Sequence, residues 1–388
     1  MNYSPVVQDL ANAINGNDGW LGRFNGAILS AKAASPDDYK DIHEKTALPD
    51  FLSFIDDFLR WVPNVNPDVK AMDDVMERLG KFYFVFDQEQ VYKLQTPITP
   101  ANAEGPLSWL SNWLATYALE LGNFMDTPES LTRASLRSFY NRPDYHMEDY
   151  IQPRGGWKSY NQFFARNVKP GARKIDDIGN DSIIISPADS CFDGAWPVDD
   201  NGNVTLKEVP WNINSLLQHS HYRDEFKGGI FMHAFLSSND YHRQHAPVAG
   251  TVVEAKNIAG QVYLEVKAKD GKVSPVRPLP RRGEKNVDVL DNEGYQWCQM
   301  RGLVVLQSRI GYVAVLPIGM AQISSVVITA EVGRYLHKGE EISYFQFGGS
   351  DIVVVFQKKS KVNITAELTT PRTHYNVGNK IAESHMEL

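Results

Sequence analysis

The sequence predicts an α+β protein: an N-terminal helical part followed by a mostly antiparallel, β-rich part. Three observations predict it. Before about residue 150, apolar residues recur at helical spacing. From about residue 183, short β-branched runs alternate with Gly, Pro, Asn-Gly and Asp-Gly turns. No long helical stripe lies between those runs, which disfavours a doubly wound parallel sheet. The expected division is 1–150 for the helical extension and 151–388 for the β-rich domain.

Phe51, Phe54, Ile55, Phe58 and Leu59 form the first stripe, begun near Pro49-Asp50 and stopped by Pro63. Val69, Met72, Val75, Met76 and Leu79 form a second, ended by Gly80. Trp109, Leu110, Trp113, Leu114, Tyr117 and Leu121 form a third, ended by Gly122. A fourth helix is expected to start at Thr127, an N-cap with Pro128 at the first helical position. These stripes read as core. The clearest strands are 182–185, 302–306, 312–316 and 352–356. Two further segments, 246–252 and 333–342, resemble the halves of a biotinyl/lipoyl-like hammerhead, in which Pro and Gly turn the chain between paired strands.

A hydrophobic share of 43% is enough for a sizeable core, so disorder is excluded for the chain as a whole. The net charge of −8, with no Lys/Arg cluster, excludes a nucleic-acid partner. Cys191 and Cys298 lack metal-ligand spacing and read as reduced thiols; no metal is expected. The most apolar stretch, Trp109 to Leu121, is broken by Ser111, Asn112, Thr116 and Glu120, too short to span a bilayer. The first thirty residues show no basic region followed by an apolar run, so a soluble cytoplasmic protein is expected.

Three segments carry candidate chemistry. Asn239-Asp240-Tyr241-His242-Arg243-Gln244-His245 holds two histidines three apart, running into a Pro-x-x-Gly turn. Alone, the pair reads as surface histidines or half a metal site. Gly348-Gly349-Ser350 precedes a β-branched run and reads alone as a bulge or tight turn. It would also suit a serine whose hydroxyl attacks its own preceding carbonyl, because glycine leaves the backbone unhindered. Ser186-Pro187-Ala188-Asp189 follows a strand and reads as a turn, or as an acid that orients a histidine.

In this order and spacing the three segments resemble the phosphatidylserine decarboxylase family. Tyr160-Asn161-Gln162-Phe163-Phe164-Ala165-Arg166-Asn167-Val168-Lys169-Pro170-Gly171-Ala172-Arg173 looks like that family's opening motif, and the match covers about residues 156–365. The resemblance implies self-cleavage between Gly349 and Ser350 into a β chain, 1–349, and an α chain, 350–388. Ser350 would become a covalent pyruvoyl group, the cofactor. Asp189 and His245 would complete the self-cleavage triad, and His242 would act in decarboxylation. The pyruvoyl ketone would form a Schiff base with a small-molecule amine and accept the electrons released with CO2. Where many members read Leu-Gly-Ser-Thr or Gly-Gly-Ser-Ser, this chain reads Gly-Gly-Ser-Asp, which leaves the role of Asp351 open.

The acidic charge, the lack of a membrane span and about 150 extra helical residues resemble the layout of soluble fungal tryptophan decarboxylases of the family. An aromatic L-amino acid is therefore the expected substrate, with phosphatidylserine, and hence membrane contact, as the alternative. A homo-oligomer stays open. A non-enzymatic hammerhead carrier is a remote third reading, since no Met-Lys-Met-like or Asp-Lys-Ala-like hairpin is present.

Overall fold

The computed structural model describes residues 3–68, 74–269, 271–275, 294–321, 325–347, 350–369 and 372–386. The fold is α+β, as the sequence predicts. Helices Pro5–Gly16, Trp20–Ala34, Ala47–Phe58, Asp74–Phe86 and Trp109–Met125 pack together, the last three through the predicted stripes, with Phe51, Ile55, Phe58, Tyr117 and Leu121 buried. The first two were not anticipated individually. Pro5 at the first helical position starts one, and Val7, Leu10 and Ile14 form its buried face.

Three predicted boundaries differ. Gly80 does not end its helix, which runs on to Phe86. Its missing side chain admits a neighbour instead: a Cβ there would stand 3.3 Å from Cγ1 of Val273, on strand Lys272–Pro275. Gly122 likewise lies inside helix Trp109–Met125. Thr127 opens only a 3-10 turn, Pro128–Ser130, because Leu131 is extended. The helix that follows, Arg133–Tyr140, is capped by Thr132, whose side chain accepts from the Ser135 amide in a capping box. Val69 and Met72 of the second stripe lie outside the described residues.

Among the described residues the main sheet has eight strands, and each neighbouring pair is antiparallel. Their order is Tyr335–Leu336, Gly250–Ile258, Arg301–Ser308, Gly311–Gly319, Ser350–Phe356, Ile230–Leu236, Ser190–Pro197 and His374–Tyr375. Strand Ser350–Phe356 therefore lies deep in the sheet. Its Ile352 and Val354 face the larger core, which also takes in the helices, while Val353 and Val355 face a smaller core around Phe231 and Trp297. Burial on both faces explains the uninterrupted β-branched run. The helical part shares that larger core with the sheet. The Tyr83 hydroxyl donates to the Val262 carbonyl at 2.8 Å, and the Val266 amide donates to Asp87 Oδ2 at 2.8 Å.

The two hammerhead-like segments pair with one another. Tyr335 and Leu336 stand opposite Thr251 and Gly250, and Ala246 and Glu340 are joined by a 2.7 Å backbone bond. Lys338, the lysine of the second segment, is buried and donates to the carbonyls of Asp177 and Asn180 at 3.0 and 2.6 Å. That is not the exposed tip a carrier needs. Cys191 and Cys298 are free and buried; burial pushes their thiols up to about 12 and about 11, so both are inert as nucleophiles near neutrality. Among the described residues no helix is long and apolar enough to cross a membrane, and no cluster suits a metal ion.

Candidate active site

The histidine segment hangs between two sheets. Strand Ile230–Leu236 ends in a turn in which the Ser237 amide donates to Asp240 Oδ2 at 2.7 Å. The chain then enters strand Arg243–His245, which pairs with strand Glu341–Gln346. The Phe345 amide donates to the His242 carbonyl at 2.9 Å. Strand Glu341–Gln346 leads straight into the expected cleavage site. Leu236 and Gly319 stand opposite Ser350 in the main sheet, so the backbone brings both histidines to the end of the sheet where Ser350 begins its strand. Gly349 lies outside the described residues. Two residues before it, Phe347 is buried with φ +39°, packed edge-on against Tyr160 at 5.6 Å. A bulky residue in that region is a local strain, of order 1–3 kcal/mol.

His245 is held at both ring nitrogens. Nδ1 lies 2.7 Å from the Gly339 carbonyl, which can only accept, so Nδ1 carries the proton. Nε2 therefore offers its lone pair, and the Tyr241 hydroxyl donates to it at 3.0 Å. Burial pushes the ring below its ordinary value, against the Gly339 bond and the carboxylates of Glu341 and Asp189, which pull upward. The result is a neutral imidazole with a basic Nε2. Gly339 has φ +84°, and a Cβ there would stand 2.6 Å from Cδ1 of Ile175, so glycine is required where its carbonyl meets the ring.

His242 is wholly buried and stacks on Phe164, with ring centroids 3.9 Å apart. Among the described residues neither ring nitrogen makes a hydrogen bond of good geometry, although the Asp240 and Ser237 backbone lies within reach of the ring. Burial, and then the Arg166 charge, hold the ring well below its ordinary value, only partly offset by the Asp240 and Ser237 backbone.

Asp189 is buried beside these groups. The His245 amide donates to the Pro187 carbonyl at 2.8 Å. The expected direct contact between Asp189 and the His245 ring is not formed. The carboxylate instead accepts from Arg173, at 2.6 Å from Nη2 and 2.9–3.0 Å from Nε, and from the Val377 amide at 2.8 Å. A guanidinium fork satisfies a carboxylate more fully than one imidazole N–H can. Asp189 thus reaches His245 through its field.

Sequence reasoning missed Tyr241, Arg173, Gly339, Phe164 and Arg166. The opening motif supplies three of them. Phe164 underlies His242, Arg173 pairs with Asp189, and Arg166 Nη2 donates to the Asn239 and Asp240 carbonyls at 3.0 and 3.3 Å. The only signal was an arginine set against an aromatic run, which is unusual on a solvated face.

The sequence profile described as Phosphatidylserine decarboxylase matches residues 160–383, more than half of the chain. The chain belongs to the phosphatidylserine decarboxylase family. That family is one of carboxy-lyases. The chain is 29% identical over 245 residues to phosphatidylserine decarboxylase proenzyme 3 of Schizosaccharomyces pombe, covering 63% of this chain and 23% of that one. It is 29% identical over 237 residues to proenzyme 2 of Oryza sativa subsp. japonica, covering 61% and 35%. With the proenzyme of Fusobacterium nucleatum it shares 28% identity over 256 residues, 66% and 75% of the two chains. The matched region thus spans about a quarter to a third of the first two relatives.

Members of the phosphatidylserine decarboxylase family are in general pyruvoyl-dependent. The residues present fit such a group: a serine at the start of a buried strand, a strained Phe347 three residues before it, and the buried His242 ring on the loop that leaves its partner strand.

Proposed function

We propose that this chain is a self-processing decarboxylase whose prosthetic ketone is made from Ser350 and whose substrate is the serine headgroup of phosphatidylserine. The observation that carries the reading is a pair of histidines in contrasting environments, His242 wholly buried and His245 half-buried and bonded at both ring nitrogens, at the end of the sheet where strand Ser350–Phe356 begins.

His245 suits the cleavage step. Its Nε2 lone pair takes the proton of the Ser350 hydroxyl, while the Gly339 carbonyl steadies the imidazolium that forms. The hydroxyl attacks the Gly349 carbonyl and the peptide nitrogen leaves as an amine, giving an ester. Loss of the Ser350 α-proton expels Gly349 as a carboxylate and leaves a dehydroalanine, which takes up water and releases ammonia. A pyruvoyl ketone supplies an electron sink for a carboxylate leaving as CO2. His242 suits the decarboxylation step as the imidazole that returns a proton to carbon once it has itself taken one up.

For the substrate, the relatives from Schizosaccharomyces pombe, Oryza sativa and Fusobacterium nucleatum are named for phosphatidylserine. Those names do not support the aromatic amino acid expected from charge and layout, so the phospholipid is the better reading. The test has two parts. Intact mass of the purified protein should show two chains, the smaller beginning at residue 350 and blocked, with Ser350→Ala uncleaved. CO2 release should then require phosphatidylserine vesicles. Turnover on free L-tryptophan without lipid would overturn the substrate, and a single full-length chain in active protein would overturn the whole reading.

A further inference from the structure

Asp351, the residue after the cleavage serine, heads a buried polar cluster on the smaller-core face of the sheet. Its carboxylate accepts from the Tyr295 hydroxyl and lies 3.3 Å from His233 Nε2. Gln296 Nε2 approaches the same ring nitrogen at 3.3 Å. On the other side, His233 Nδ1 is 2.9 Å from Asp193 Oδ2, and Asp193 Oδ1 pairs with Arg372. Asp351, His233, Asp193, Tyr295 and Gln296 are all buried. So much charge in an apolar face is costly unless every member is paired.

The cluster crosses the expected cut. Asp351 and Arg372 would belong to the α chain, whereas His233, Asp193, Tyr295 and Gln296 would belong to the β chain. We propose that Asp351 is a positioning residue: together with His233, Asp193 and Arg372 it clamps the freshly made end of the α chain, so that the Ser350 ester is consumed by elimination and not by hydrolysis. This rests on the self-cleavage reading above.

The chemistry gives the clamp its purpose. Once the ester forms, the Ser350 nitrogen is a free amine and the backbone is no longer continuous there. A free strand end frays unless it is tied down. Two routes then compete for the ester. In elimination a base takes the Ser350 α-proton, its electron pair forms the Cα–Cβ double bond, and the Cβ–O bond breaks to release the Gly349 carboxylate. That route needs the Cα–H and Cβ–O bonds aligned. In hydrolysis water attacks the ester carbonyl, releasing the same carboxylate but restoring the serine hydroxyl, and needs no alignment at residue 350. A loose end therefore shifts the product from a pyruvoyl to a serine terminus, which is heavier by one ammonia and so is resolved by intact mass. Asp351 fixes the neighbouring residue to two β-chain elements, strand Ile230–Leu236 and the 3-10 turn Tyr295–Trp297.

Intact mass of the α chain tests this in the parent, Asp351→Asn, Asp351→Thr and His233→Gln. The expected result is a rise of about tenfold in the ratio of serine-ended to pyruvoyl-ended α chain, the scale of one lost charge-assisted bond. Both chains should stay associated, because strand Lys380–Ser384 still pairs with Ile183–Ile185. Thermal unfolding of each variant in a Ser350→Ala background reports on the uncleaved fold. Should the Asp351 variants fail to fold, His233→Gln still decides, since it leaves the Tyr295 bond in place. An unchanged ratio in a cleaved protein, whatever the rate or melting temperature, overturns the clamp alone. An uncleaved parent overturns the self-cleavage reading and the clamp with it.

Discussion

Arg173 Nη2 stands 2.6 Å from Oδ2 of Asp189, and this pair, not a bond from Asp189 to His245, organises the acid of the site. The guanidinium carbon also lies 5.9 Å from the centre of the Tyr241 ring, whose hydroxyl reaches His245. Asp189, Arg173, Tyr241 and His245 thus form a chain of contacts in which the acid fixes the base's surroundings.

Arg173→Met should leave a buried carboxylate without its cation. Breaking such a pair costs about 3–5 kcal/mol, and removing the stranded acid as well should recover part of it. Urea unfolding of Ser350→Ala precursors carrying Arg173→Met, Asp189→Asn and both gives the coupling. Additive effects would mean that the pair contributes nothing as a pair.

The two histidines should separate by the step each serves. His245→Ala should stop cleavage. His242→Ala should still cleave and lose turnover. Tyr241→Phe deletes one donor to Nε2 and should slow cleavage by less than about tenfold, the scale of one neutral hydrogen bond. Denaturing gels over time, beside CO2 release, read these apart; parental cleavage in His245→Ala would end its assignment as base.

Gly339→Ala meets two obstacles, a positive φ and the side chain of Ile175. The carbonyl that holds His245 Nδ1 should shift. We expect a loss of about 1–2 kcal/mol in precursor stability and a slower cleavage at every pH. Normal cleavage kinetics would show that the Gly339 bond does not orient the base.

Much of the fold was legible because burial writes itself into period. Phe51, Ile55 and Phe58 announce a helix, and 352–356 announces a strand buried on both faces. The boundaries at Gly80 and Gly122 were misread because glycine serves close packing as well as chain ends, and only the position of Val273 tells the two apart at Gly80. In the site, Ser350, His242, His245 and Asp189 stood out through the order of their motifs. Their partners did not: Arg173, Gly339 and Tyr241 act through contacts between residues as far apart as 245 and 339, which no local pattern records. Asp351 was visible only as a departure, and its meaning needed His233 and Asp193 from two other strands.

His242 and His245 also set a pH dependence with a definite sign. Burial, and secondarily Arg166, hold His242 well below 6.5; burial lowers His245 as well. The unfolded chain therefore binds protons near 6.5 that the folded chain refuses. Stability is unaffected well above 6.5 and is lost as pH falls below it, by at most about 1.4 kcal/mol per pH unit for each ring. His374 acts oppositely. Burial lowers it, but the 2.9 Å pair with Asp240 more than compensates and raises it, so its contribution is present below 6.5 and is lost as pH rises through its folded value. On lowering the pH from about 7.5 to about 5.5, where imidazoles titrate, a Ser350→Ala precursor should lose melting temperature. His242→Gln should flatten that loss, and His374→Asn should steepen it. Identical slopes in all three proteins would show that these rings titrate alike in the folded and unfolded chain, and the neutral, dry His242 would have to be abandoned.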